Sequence, residues 1–160
     1  MSKSTLWWVL GAVVVLGLFI SSRFISHSAQ NSFSNRQAAL ICTTDMATQF
    51  HIHPHIQIII DGVTQEIPAN IGISLDCMHP LHTHDTGGTL HVESPEAWDF
   101  TLGDFFAVWG QTFNKDQILN SKADATHAIG ITLNGQEVST YENTILHDND
   151  QIVISYVAKQ

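Results

Sequence analysis

The chain has 160 residues, 10 of them histidine, and a formal charge of −9 from 6 Lys and Arg against 15 Asp and Glu. That length allows one domain with an appendage and excludes a (β/α)8 barrel or a two-lobed enzyme. The acidic balance excludes a nucleic-acid partner, which needs clustered Lys and Arg, and a 44% hydrophobic content excludes global disorder.

Residues 6–20 (LWWVLGAVVVLGLFI) carry no polar side chain. Extended to residue 25, the run would span about 30 Å as a helix, the thickness of a bilayer's hydrocarbon core. Arg23 can snorkel to the interface, and Trp7 and Trp8 suit the opposite one. The pattern predicts a transmembrane signal anchor over residues 1–25: a single-pass protein of the cell membrane, with its domain on the extracytoplasmic side. A cleaved signal peptide is the competing reading, because Ser26-His27-Ser28 is a tolerable small-x-small site. Residues 26–35 (SHSAQNSFSN) read as a polar linker, and residues 36–160 as one exported domain. Beyond residue 30 only Arg36, Lys115, Lys122 and Lys159 stand against all fifteen acids, so that domain attracts cations.

Residues 36–47 predict a short helix without strong caps. Residues 51–60 (HIHPHIQIII) alternate and then become continuously apolar, which predicts one strand. Asp61-Gly62 is a hairpin turn, residues 63–67 pair back, and Pro68 ends them. Residues 71–75 form a second apolar patch, 76–88 a loop and 89–93 a short strand. Thr101 caps a helix, with Asp104 three positions on as in a capping box. Leu102, Phe105, Phe106 and Trp109 make one apolar helical face, and Gly110 stops it. Asn134-Gly135, between residues 129–133 and 137–141, is the strongest hairpin signal in the chain. Residues 151–157 form the last strand.

This order of hairpin, insert, helix, hairpin and strand resembles the ubiquitin-like β-grasp, most closely in ITLNGQEVSTYENTILHDNDQIVISY (131–156). The resemblance implies a small α+β domain behind the transmembrane helix. A small β-sandwich or barrel is the alternative.

Seven of the ten histidines lie between positions 51 and 91. Neutral imidazole is the commonest metal-ligating side chain, and two on one strand face can chelate. On a strand, His51, His53 and His55 would share a face, with Pro54 opposite. His82 and His84 share a face if extended, and His91 and Glu93 alternate on the returning strand. The predicted metal ligands are His51, His53, His55, His82, His84 and His91. Glu93 or Asp85 would orient them through a second ring nitrogen. All-imidazole ligation suits zinc and copper alike, and Cys77, Met78 and Met46 offer softer donors for Cu(I). The leading expectation is therefore a membrane-anchored, extracytoplasmic metal-binding protein taking copper or zinc. A zinc-dependent lyase or hydrolase is the second, with Glu93 as general base. A protein-interaction or pH-sensing module without metal is the third.

Neighbouring motifs do not extend this reading. HIHPHIQ matches the string of histidine-triad nucleotide hydrolases but opens the domain instead of closing it. In HTHD the acid falls one place early for metallo-β-lactamases, and Glu93 stands too far from His84 for a cupin. LHTHDTGGTLHVESP (81–95) and FTLGDFFAVWGQ (100–111), preceded by HIHPHIQIIIDG (51–62), resemble a family of uncharacterised exported bacterial and archaeal proteins. That resemblance implies that the six histidines belong to the family pattern and supplies no activity.

Cys42 and Cys77 are the only cysteines. In an oxidising compartment they would pair, closing a loop worth about 3–4 kcal/mol. Cys77 as a thiolate ligand or redox thiol is the alternative. The absence of C-x-x-C disfavours thioredoxin-like chemistry.

Overall fold

The structure, a computed structural model, describes residues 33–44 and 48–159, all but Phe33 of them in one compact unit, Ser34–Gln160. The predicted anchor, most of the linker and Met46 lie outside the described residues. Among the described residues, no helix is long and apolar enough to cross a membrane.

The unit is mostly β. A five-stranded mixed sheet is built from β2 (His55–Ile60), β3 (Val63–Gln65), β9 (His127–Leu133), β10 (Gln136–Glu137) and β11 (Gln151–Ala158), in the order β10-β9-β11-β2-β3. β11 runs parallel to β2, and the other pairs are antiparallel. Alternation places Ile56, Ile58, Ile129, Ile131, Ile152 and Ile154 on one buried face. Both hairpins of this sheet turn where the sequence puts them. Asp61-Gly62 and Asn134-Gly135 adopt positive φ at both central residues, as a type I′ turn requires.

A second, three-stranded antiparallel sheet has the order β1-β5-β4, from β1 (Phe50–Ile52), β4 (Leu81–His82) and β5 (His91–Ser94). Its buried face carries Ile52, Leu81 and Val92. They join one core with the large sheet's isoleucines and with Leu102, Phe105 and Phe106 of a helix, α2 (Leu102–Trp109). That helix begins as the sequence predicts. The Thr101 hydroxyl accepts from the Asp104 N–H, and the Asp104 carboxylate accepts from the Thr101 N–H at 2.9 Å; Gly110 ends it in the left-handed region. The buried Asp104 also pairs with Arg36 at 2.9 Å, tying α2 to a short helix, α1 (Asn35–Ala39). α1 is better capped than expected, through a Ser34–Gln37 capping box.

Three expectations are corrected. The α+β, β-grasp-like domain expected behind a transmembrane helix gives way, among the described residues, to a β-rich unit of three sheets with two α-helices of only five and eight residues. The reason is that the supposed insert builds a sheet of its own. A third sheet, β6 (Phe113–Asn114), β7 (Gln117–Ile118) and β8 (Ser121–Lys122), follows α2. The single strand expected over residues 51–60 breaks at His53-Pro54. Proline has no N–H to give a ladder, and the chain crosses there from the small sheet to the large one. Cys77 is no thiolate, because it is bonded to Cys42.

Two glycines let this crossing pack. A Cβ on Gly88 (φ +84°) would strike the Ile56 carbonyl, and one on Gly72 (φ +72°) the Leu81 carbonyl beside β4.

Candidate metal centre

The small sheet has two unlike faces because its strands alternate. On β5, Val92 and Ser94 point into the core while His91 and Glu93 point the other way. The register sets His51 of β1 directly opposite Glu93, and His82 of β4 directly opposite His91. Two adjacent cross-strand pairs therefore bring three imidazoles and a carboxylate onto one face. His84 follows His82 by two residues and His53 follows His51 by two. Their rings close the group: His84 lies 4.5 Å from His91 and 4.9 Å from His82 between centroids, and His53 lies 4.8 Å from His91.

Two donor sets result. His82, His84, His91 and Glu93 each bring one ligand atom within 4.8 Å of the others, and so do His51, His53 and His91. Either set can hold a metal ion. Glu93 Oε1 is the hub, 3.0 Å from His51 Nε2 and 3.8 Å from both His82 Nε2 and His91 Nδ1. The Thr48 hydroxyl donates to its other oxygen at 3.3 Å.

The protonation pattern favours ligation. His82 Nδ1–H donates to the His79 carbonyl at 3.0 Å, which leaves the Nε2 lone pair facing the cluster. Burial pushes the His82 imidazole down to about 4, against smaller opposing effects of the His79 carbonyl and Glu93, so the ring is neutral at pH 7. Burial, reinforced by His84 and His53, lowers His91 as well. Among the described residues, the two buried side-chain polar atoms without a hydrogen-bond partner are His82 Nε2 and His91 Nδ1. Both border the same carboxylate oxygen. Buried nitrogens left bare in this way cost about 1–3 kcal/mol each in a metal-free fold, which is the cost expected of a site shaped for something else.

The other predicted residues are placed differently. His55 begins β2 in the large sheet, and its Nε2–H donates to the Gly87 carbonyl at 2.8 Å, so it joins neither donor set. Asp85 accepts from the Gly87 N–H at 2.7 Å and braces the loop rather than an imidazole. Glu93 stands inside the first donor set. Met78 pairs through its backbone with Thr43 beside the disulfide. Three contributors escaped the sequence: the His79 carbonyl, Thr48, and Asp148, whose carboxylate accepts from the His53 N–H at 2.9 Å and lies 3.9 Å from its Nδ1. Asp148 is 95 positions from His53, so no local pattern reveals it. The His79–His82 spacing is local and legible.

The segment leading into β4 is fastened twice. The Cys42–Cys77 disulfide joins it to the end of α1, and the His79 ring donates to the Ala39 carbonyl at 3.2 Å. His79 thus connects the covalent staple to the tautomer of His82.

No protein family, curated protein or solved structure matches the chain.

Proposed function

We propose that this is an extracytoplasmic metal-binding protein, held at the membrane through an anchor over residues 1–25, that binds zinc or copper(II) through His82, His84, His91 and Glu93. The observation that carries the reading is the pair of orphaned buried nitrogens, His82 Nε2 and His91 Nδ1, at one Glu93 oxygen. Four donors about 2.0–2.1 Å from a tetrahedral zinc ion stand about 3.3 Å apart. The 3.8 Å separations here need only a small inward adjustment. Three imidazoles and a carboxylate, with no sulfur, suit Zn2+ or Cu2+ better than Cu(I). A closed four-donor set supports retention of an ion rather than turnover at an open position. The disulfide supports an oxidising compartment, and the acidic balance supports attraction of cations.

The test is metal content by mass spectrometry on the full chain, produced in defined medium, beside the His82→Ala/His84→Ala variant. The wild type should carry close to one equivalent, and the variant should bind at least about 100-fold more weakly, since loss of even an outer partner costs 10–100-fold. Two folded proteins that both refuse zinc and copper on reconstitution would sink the reading.

A further inference from the structure

The second donor set, His51, His53 and His91, overlaps the first. It shares His91 with the first, and a neutral imidazole has only one lone pair to offer, its other nitrogen carrying a proton. With neutral ligands the two sets therefore cannot be filled together, and they are alternative seats for one ion. Their exposure is graded. The side chains of His51 and His53 are 44% and 40% exposed and His91 is 23%, whereas in the first set Glu93 is 16% and His82 0%, with His84 exposed at its rim.

We propose that His51, His53 and His91 form an entry seat, which takes a divalent transition-metal ion from solvent and passes it through His91 to the inner seat of His82, His84 and Glu93, built on the fully buried His82. This inference rests on the metal-binding reading above. The outer donors meet a partly hydrated ion without prior desolvation, and Asp148, half-exposed beside His53, adds negative charge where the ion arrives. The inner seat holds the ion more strongly, because the enclosed His82 Nε2 has no hydrogen bond to give up. His51 belongs to the entry seat and also hydrogen-bonds the Glu93 carboxylate, so filling one seat bears directly on a ligand of the other.

The test is stopped-flow transfer of Zn2+ from a chromophoric chelator to the full chain and to two variants. His53→Ala leaves the inner set whole. Its association rate should fall about tenfold, the low end of what a pre-concentrating cleft adds, while one ion is still bound per chain. His84→Ala should do the reverse, keeping the association rate and losing affinity through faster release. Loading of His53→Ala at the wild-type rate overturns the entry seat while the metal site stands, and so does saturation at two ions per chain. Failure of the wild type to bind Zn2+ at all overturns the metal-binding reading itself.

Discussion

His127, at the start of β9 on the large sheet, and His82, at the end of β4 on the small one, are both imidazoles in strands beside acids, and the fold treats them in opposite ways. His127 stacks on Tyr156 with ring centroids 4.7 Å apart and planes within 2°. Its Nδ1–H donates to the Thr126 hydroxyl at 2.8 Å, and its Nε2 faces Asp61 at 3.6 Å. Thr126 in turn donates to Asp124 and, with the backbone N–H groups of Thr126 and His127, holds that carboxyl at about 2. The His127 side chain is 28% exposed, so neither of its ring nitrogens is enclosed without a partner. His82 has one nitrogen satisfied by a carbonyl and the other enclosed and bare. Histidine count flags a region, but the unspent lone pair is what distinguishes a ligand from a structural residue.

The contrast can be broken first through pH. His82 titrates at about 4 in the fold against about 6.5 in the unfolded chain, so on acidification the unfolded chain takes up its proton first. Stability from this group is complete above about pH 6.5 and is lost as pH falls through 4, a loss of roughly 3 kcal/mol. Urea denaturation of the chelator-treated protein at pH 7, 5.5 and 4 should show this slope in the wild type and in His127→Ala, and a flattened one in His82→Ala. A slope that disappeared with His127 instead would reverse the assignment. Zinc sharpens the contrast at nearly the same scale. At one hundred times its dissociation constant it should stabilise wild type and His127→Ala alike by about 2.7 kcal/mol, and His82→Ala/His84→Ala by no more than about 0.4 kcal/mol. Removing the Thr101 cap is the smallest change. Thr101→Ala should cost about 1 kcal/mol of stability and leave zinc affinity as it was, as isothermal titration would read. An altered affinity would mean that the helix under the core helps set the site.

What the sequence discloses follows the range of the forces involved. The Thr101–Asp104 box and the two positive-φ turns are written within four residues, and each is legible. The Ser34–Gln37 box is equally local and was available in the same pattern. The break at His53-Pro54 is harder to see, because apolar alternation runs unbroken across it; the partners that separate the two strands, Asp150 for the His55 N–H and Gly88 for the Ile56 N–H, lie far along the chain. Strands of two residues, such as Phe113–Asn114 and Ser121–Lys122, are shorter than one test of periodicity. At the site, the residue types and the His91–Glu93 alternation can be read directly. That Glu93 is a hub within the donors depends on cross-strand register, which neither strand contains alone.

The parallel pairing of β11 with β2 also has a consequence in time. These strands stand side by side in the large sheet although almost the whole unit separates them in sequence, so the middle of that sheet cannot close until the last strand has been made. The three strands of the histidine face all lie between residues 50 and 94. In a chain delivered from its amino terminus, the donors can therefore be gathered while the sheet beneath them still waits for its final member. An ion captured at that stage would be held by a half-built protein, on a face that stays open to solvent while the core behind it is completed.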